Sequence, residues 1–273
     1  MSNTFRYVVL ISVALFLVVP ILLAVIVAVT PEDELYTAPG KLYPSRLSLE
    51  NVRTAFTRGN AATCFLNSLI IALSSALLGV SLGFPAAYVL ARYRLRWKAA
   101  AMTTLLILRL LPRMPAIAAY YHMVTVCGLV DTPAAVVLVR GGGILLAVWL
   151  MKAAVQSVPV SLEQAALLDG FSPWQVVTRV TLPLCLPGLT AAFLLEFVSA
   201  WNSFLLPLLF LSSEKRMTIA LGIDRFLSGY AIEPGAVMAF AVMVSLPLLV
   251  LFPWLFAASL TPYREALLRR RMS

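Results

Sequence analysis

The chain has 273 residues, 61% of them hydrophobic and only 12% charged, with a mean hydropathy of +0.93 and a net charge of +9. No water-exposed globular surface accommodates that balance, so the chain is an integral membrane protein. A membrane enzyme needs clusters of His, Asp or Glu facing a cavity, and the single His122 and the scattered Cys64, Cys127 and Cys185 supply neither such a cluster nor metal-ligand spacing.

Apolar runs near the roughly twenty residues needed to cross hydrocarbon fall at about 7–29, 65–91, 99–121, 133–151, 188–211 and 236–259. They predict an all-α fold of six transmembrane helices in one domain, residues 1–273. The first run follows Arg6, but its apolar stretch is too long for a signal peptide and no small-residue cleavage site follows, so it reads as a retained helix. Residues 30–64 form the longest outer loop, with turns at Pro39-Gly40 and Pro44-Ser45. Ser48 to Asn51, followed by Val52, Ala55 and Phe56, predicts a short interfacial helix there.

The second span opens with Phe65-Leu-Asn67-Ser68 and closes with Ala86-Ala87-Tyr88-Val-Leu-Ala91-Arg92. A loop bearing Arg92, Arg94, Arg96 and Lys98 and no acid follows it. In the third span Arg109 and Arg113 flank Pro112, and Pro112 with Pro115 should kink the helix and expose carbonyls. His122, after Tyr120-Tyr121, reads as an outer-loop or interface residue. The fourth span, preceded by Gly128-Leu-Val-Asp131-Thr132, holds Arg140 and then Gly141, Gly142 and Gly143. Three interior glycines weaken a helix by about 3 kcal/mol relative to alanine and permit close approach of a backbone or ligand.

Residues 152–187 are the polar exception in the second half of the chain. Ser161 and Gln164 have capping-box spacing, which starts a helix at Leu162, and Gly170 stops it. A second helix follows at once, with Ser172 as its cap, Pro173 in its first turn, Gln175 repeating the box and Pro183 ending it. The fifth span carries Glu196, Trp201, Asn202 and Phe204. Beyond the sixth, Arg264, Arg269, Arg270 and Arg271 make a basic tail that suits a membrane-surface helix or a partner contact. Arg6, the 92–98 loop and the tail place positive charge on one side, whereas the outer loops are close to neutral. The positive-inside rule then puts residues 152–187 and both termini in the cytoplasm, and the basic charge reports topology, not nucleic-acid binding.

Gln164-Ala165-Ala166, Asp169-Gly170 and Leu182-Pro183 resemble the cytoplasmic loop of the permeases of bacterial ABC importers. The Phe65–Ser68, Ala86–Arg92, Gly128–Thr132 and Ala200-Trp201-Asn202 segments extend the resemblance to the carbohydrate-uptake branch, similar to its shorter maltose-type second permease. The chain differs from that pattern at Gln164, where the family usually has Glu with Glu163 just before it here, at Arg140 and at Ser203. The resemblance implies a type I importer permease fold in the bacterial inner membrane. It also implies a second homologous permease, two ATP-binding cassette subunits that bind ATP and Mg, and an extracytoplasmic binding protein that delivers the substrate. The chain itself has no Gly-rich phosphate loop, so it would be neither an enzyme nor a cofactor binder. Glu163, Gln164, Ala165, Ala166, Asp169, Gly170, Leu182 and Pro183 would couple to the ATPase.

Substrate would be a sugar or sugar derivative. Trp201, Asn202, Phe204, Tyr120, Glu196 and Arg140 are the pathway candidates, the first and third by aromatic stacking and Asn202 by amide hydrogen bonds. Packing within the bundle is the competing role for the Trp201 group. For Arg140 two readings stand. It contacts a phosphate, sulfonate or carboxylate, as in glycerol-3-phosphate or an acidic sugar, or it pairs with Glu196 or snorkels to the interface.

Overall fold

The computed structural model of the chain describes residues 3–37, 41, 43–110, 114–228, 233–251 and 253. Every regular element among the described residues is helical. Among the described residues four helices are long and apolar enough to cross a membrane, Phe5–Ala28, Ala61–Arg92, Pro173–Trp201 and Pro234–Leu251. The pair Pro133–Val139 and Ile144–Ser157, bent by 55°, passes the same test together, as a broken span or a re-entrant loop. The break falls at Arg140 to Gly143, a turn of 3-10 helix inside the run expected as one span over 133–151, where three glycines weaken a helix.

The predicted third span is not one helix. It consists of Lys98–Leu110 and Ile117–Val126, with a 3-10 turn at Met114–Ala116 that contains Pro115. Proline lacks the N–H that a continuous helix needs and its ring collides with the preceding turn. Six spans are therefore not confirmed among the described residues. Pro112, Arg113 and the basic tail at 264–271 lie outside them, as does the side chain of Arg109. His122 sits exposed on the Ile117–Val126 helix and not in a loop.

In chain order the helices are α1 (Asn3–Ala28), α2 (Glu32–Thr37), α3 (Glu50–Thr57), α4 (Ala61–Arg92), α5 (Lys98–Leu110), α6 (Ile117–Val126), α7 (Pro133–Val139), α8 (Ile144–Ser157) and α9 (Val160–Leu168). They continue as α10 (Pro173–Gln175), α11 (Leu182–Trp201), α12 (Leu205–Phe210) and α13 (Ile219–Leu227). The chain divides into two compact units, one of residues 1–68 and 212–250, the other of 69–211 and 251–273.

In the first unit, α1 has 26 residues and so is about 39 Å long, enough to cross a bilayer with tilt. The short helix expected around Ser48 to Phe56 is present as α3, whose Asn51 and Ala55 are buried. Asn51 donates through Nδ2 to the carbonyls of Thr30 at 2.6 Å and Ala28 at 3.3 Å. It thereby satisfies carbonyl groups at and just past the end of α1 that no helical N–H reaches. The core here is Cys64, Ile219, Phe226, Val237 and Phe240 with small alanines between them.

In the second unit, Phe84, Leu90, Val148, Met151, Val155, Cys185 and Leu189 form the core of α4, α8 and α11. Small residues set how near these helices come, and a Cβ on Gly188 would collide with Ala154. Close backbone approach is the usual basis of helix association where lipid removes the hydrophobic driving force. Thr132 caps α7, accepting a hydrogen bond from the Ala135 amide, with Pro133 in the first helical position. Of the cysteines expected to be buried, Cys64 and Cys185 are, while Cys127 is exposed.

Candidate functional site

The polar segment folds as a helix, a glycine corner and a second helix. α9 starts two residues before the predicted point, at Val160, because Pro159 is the extended boundary residue with ψ 129° and no N–H to contribute. Ser161 and Gln164 are then already inside the helix and make no capping box. At the other end the Phe171 amide donates to the Ala166 carbonyl at 3.0 Å and the Gly170 amide to Leu167 at 3.1 Å. This pair of bonds is a Schellman closure, and it requires the φ of +86° that Gly170 adopts. Nothing lies within 4 Å of where a Cβ on Gly170 would sit, so the demand for glycine is conformational and not steric.

The second box forms as expected. The Ser172 amide donates to Gln175 Oε1 at 2.8 Å, and the Gln175 amide donates to Ser172 Oγ at 3.3 Å. Pro183 does not end this helix. A π-helical stretch, Val176–Thr181, carries it into α11, with the Leu182 amide reaching the Val177 carbonyl five residues back. That extra residue per turn shifts the bonding register just ahead of Pro183, which then falls in the first positions of the α-helical stretch, where its missing N–H is harmless. Leu182 is half-buried and Pro183 exposed.

α9 is tied to the membrane helices by one carboxylate. Glu163 is only 6% exposed. Its Oε1 and Oε2 accept from Arg92 Nε at 2.9 and 3.0 Å, and Arg92 Nη2 lies 2.9 Å from Oε1. Thr181 Oγ1 donates to Oε1 at 2.7 Å, and the Tyr88 hydroxyl lies 3.4 Å from Oε2. Arg92 Nη2 also donates to the Val158 carbonyl at 2.8 Å. One side chain of α9 thus joins the end of α4, the end of α8 and the π-helical stretch. A buried charge persists only when paired and hydrogen-bonded, and this one is.

The opposite face of the segment is open. Gln164, Ala165, Asp169 and Gly170 are exposed, and Ala166 is packed inward. Leu168 is 90% exposed and Trp174 73% exposed, with Leu162 and Leu167 beside them. Large apolar side chains presented on a polar segment mark a contact surface. Sequence reasoning missed Arg92, Thr181 and Tyr88 as members of this site, since Arg92 lies 71 residues from Glu163 and no local spacing announces the pair.

Arg140 Nη2 donates to Ser199 Oγ at 2.9 Å. Glu196 is 4% exposed and lies against Gly79, whose missing side chain leaves it room. Trp201 is 2% exposed and stacks on Phe197, with ring centroids 5.8 Å apart. Asn202 and Phe204 are accessible, and Asn202 Nδ2 donates to the Val198 carbonyl at 3.0 Å. Tyr120 lines a mostly apolar cavity of about 270 Å³ with Met123, Cys127, Leu138 and Gly141.

Residues 79–260 match the family described as binding-protein-dependent transport system inner membrane component. The trehalose transport system permease protein SugB of Mycobacterium tuberculosis (strain CDC 1551 / Oshkosh) is 30% identical over 77% of this chain and 78% of its own length. The maltodextrin transport system permease protein MdxG of Bacillus subtilis (strain 168) is 31% identical over 78% of this chain and 79% of its own. In a crystal structure of a bacterial ABC transporter involved in the import of the acidic polysaccharide alginate, one chain superposes with a TM-score of 0.76. That match covers 93% of this chain and 96% of that one at 18% identity, a likeness of fold.

Proposed function

Since the chain belongs to the family of binding-protein-dependent transport system inner membrane components, we propose that it is the permease subunit of an ATP-driven importer of a sugar or sugar derivative. Permeases of this family are membrane components and not themselves enzymes, and the apolar helices make this one a multi-pass inner-membrane protein. In the proposed assembly a second permease completes the pathway, two ATPase subunits bind ATP and Mg, and a binding protein delivers substrate from outside. Residues 152–187 and both termini face the cytoplasm, in keeping with the positive charge of the 92–98 loop and the tail.

The observation that carries the reading is the two-sided geometry of α9. Its outer face offers Leu168 and, past the glycine corner, Trp174, while its inner face is clamped through Glu163 to Arg92 and Thr181. A short capped helix held in this way moves as a rigid body. A push from an ATPase subunit therefore reaches α4 through Arg92 and α11 through Thr181, instead of being absorbed in a flexible loop. Gln164, Ala165, Asp169 and Gly170 lie on the accessible side and are assigned to the ATPase contact, with Ala166, Leu182 and Pro183 supporting it.

Among the pathway candidates, Asn202 and Phe204 have the exposure a translocated sugar requires, and Tyr120 has the cavity. Trp201 and Glu196 are assigned to packing. Relatives named for trehalose and maltodextrin favour a neutral saccharide, and an anionic substrate is not favoured. The test is reconstitution with the partner permease, ATPase and binding protein, measuring ATP hydrolysis against a panel of neutral and anionic sugars. Stimulation by a neutral saccharide is expected; stimulation by anionic sugars alone, or by no ligand in an assembled complex, would overturn the reading.

A further inference from the structure

Residues 92–98 read Arg-Tyr-Arg-Leu-Arg-Trp-Lys, four cations with no acid, between the end of α4 and the start of α5. They shape an open concavity of about 590 Å³ walled by Arg92, Tyr93, Arg94, Arg96 and Lys98. Arg92 is engaged with Glu163 and the Val158 carbonyl. Among the described residues no acidic partner is seen for Arg94, Arg96 or Lys98. A wall with three cations that no described acid compensates suits an anion from outside the chain.

Two further features say what kind of anion. α4 is a 32-residue apolar span that ends at Arg92, and α5 begins at Lys98 and runs on as an apolar helix, so the concavity lies at the boundary between hydrocarbon and water. Tyr93 is 57% exposed and Trp97 56% exposed, and aromatic rings of this kind settle at headgroup depth. The first amides of α5, a helix of 13 residues, also point their positive end toward this loop.

We propose that this concavity is a binding site for the headgroup of an anionic phospholipid. The phosphate sits among Arg94, Arg96 and Lys98, with Tyr93 and Trp97 against the glycerol and upper acyl region. The site adjoins the Arg92 clamp, so an occupied headgroup pocket steadies the end of α4 to which α9 is anchored. The inference takes from the proposed function only that the chain is embedded in a bilayer. Lipid binding and sugar transport can therefore fail separately.

The experiment uses the complete transporter in nanodiscs of mixed phosphatidylcholine and phosphatidylglycerol. A photoreactive phosphatidylglycerol is crosslinked, its sites are mapped by mass spectrometry, and transport is measured on the same samples. Wild type is expected to crosslink within 93–98 in preference to a photoreactive phosphatidylcholine. The triple variant Arg94→Gln, Arg96→Gln, Lys98→Gln should lose that preference by about tenfold or more, given the strength of individual cation contacts to an anionic surface. Removing loop charge also alters the topology signal, so Arg94→Lys with Arg96→Lys is the control and should keep the preference to within about threefold, each lysine still presenting a full charge at the headgroup. Equal labelling by the two lipids, unchanged labelling in the triple variant, or loss of labelling when excess inorganic phosphate is added would each overturn the proposal. The last outcome would assign the site to a soluble anion.

Discussion

Replacing Arg92 with alanine removes three N to carboxylate contacts of 2.9, 3.0 and 2.9 Å and a bond to the Val158 carbonyl. Glu163 is left at 6% exposure with Thr181 at 2.7 Å and the Tyr88 hydroxyl at 3.4 Å. Removing one partner of a buried pair costs about 3–5 kcal/mol. Glu163 lies on a surface helix and reaches water by a small displacement of α9, which puts the cost near 3 kcal/mol. At about 1.4 kcal/mol per tenfold, the docked arrangement of α9 loses roughly a hundredfold in population. The variant should therefore insert and assemble but move less sugar per ATP hydrolysed, with faster amide exchange along Val160–Leu168. Arg92→Leu combined with Glu163→Leu should be less damaging than either single change, because no charge is then left buried alone. An Arg92→Ala transporter with wild-type sugar per ATP and unchanged exchange in α9 would refute the clamp.

Gly170→Val should lower uptake while membrane abundance persists, because φ of +86° costs a side chain about 1–2 kcal/mol and the corner opens; Gly170→Asn should lie closer to wild type, and equal uptake by wild type and the valine variant would count against the corner. Leu168→Glu and Trp174→Glu, at side chains 90% and 73% exposed, should leave the permease as stable in detergent as before but stop the ATPase subunits copurifying with it. Outside the membrane, the Lys41 ammonium, together with Ser45, holds the Glu34 carboxyl below its ordinary value. A lowered acid contributes stability that is present above its unfolded-state value and is lost as pH falls through the folded one. Protection of the Ser45 amide, corrected for intrinsic exchange, should fall in that acid range, and Glu34→Gln should abolish the dependence.

Local chemistry was legible where it is written in adjacent residues. The glycine corner at Gly170, the Ser172 and Gln175 box and the α3 helix all follow from short spacings whose physics needs no distant partner. What was not legible depends on tertiary neighbours. Glu163 faces inward because Arg92 and Thr181 meet it there, and spacing within α9 carries no information about that. Pro183 looked like a stop because proline breaks an α-helical register, whereas the π-helical stretch ahead of it changes the register. Residue type left Trp201 open to two roles, a sugar platform or packing within the bundle, and which of them it takes depends on neighbours such as Phe197, on which its ring stacks. Hydropathy gives 99–121 as one run in which Pro112 and Pro115 were expected to make a kink, and the described residues show a 3-10 turn holding Pro115 between two helices.

In the proposed coupling, α9 presents its exposed face to an ATPase subunit while its other face grips the membrane helices. A photoreactive residue placed at position 168 in the assembled transporter tests it directly, with crosslinks mapped in the absence and presence of ATP. The expected result is a crosslink to the ATPase subunit whose mapped position depends on ATP. Crosslinks only to lipid or to the permease pair, in a complex shown to contain the ATPase, would contradict it.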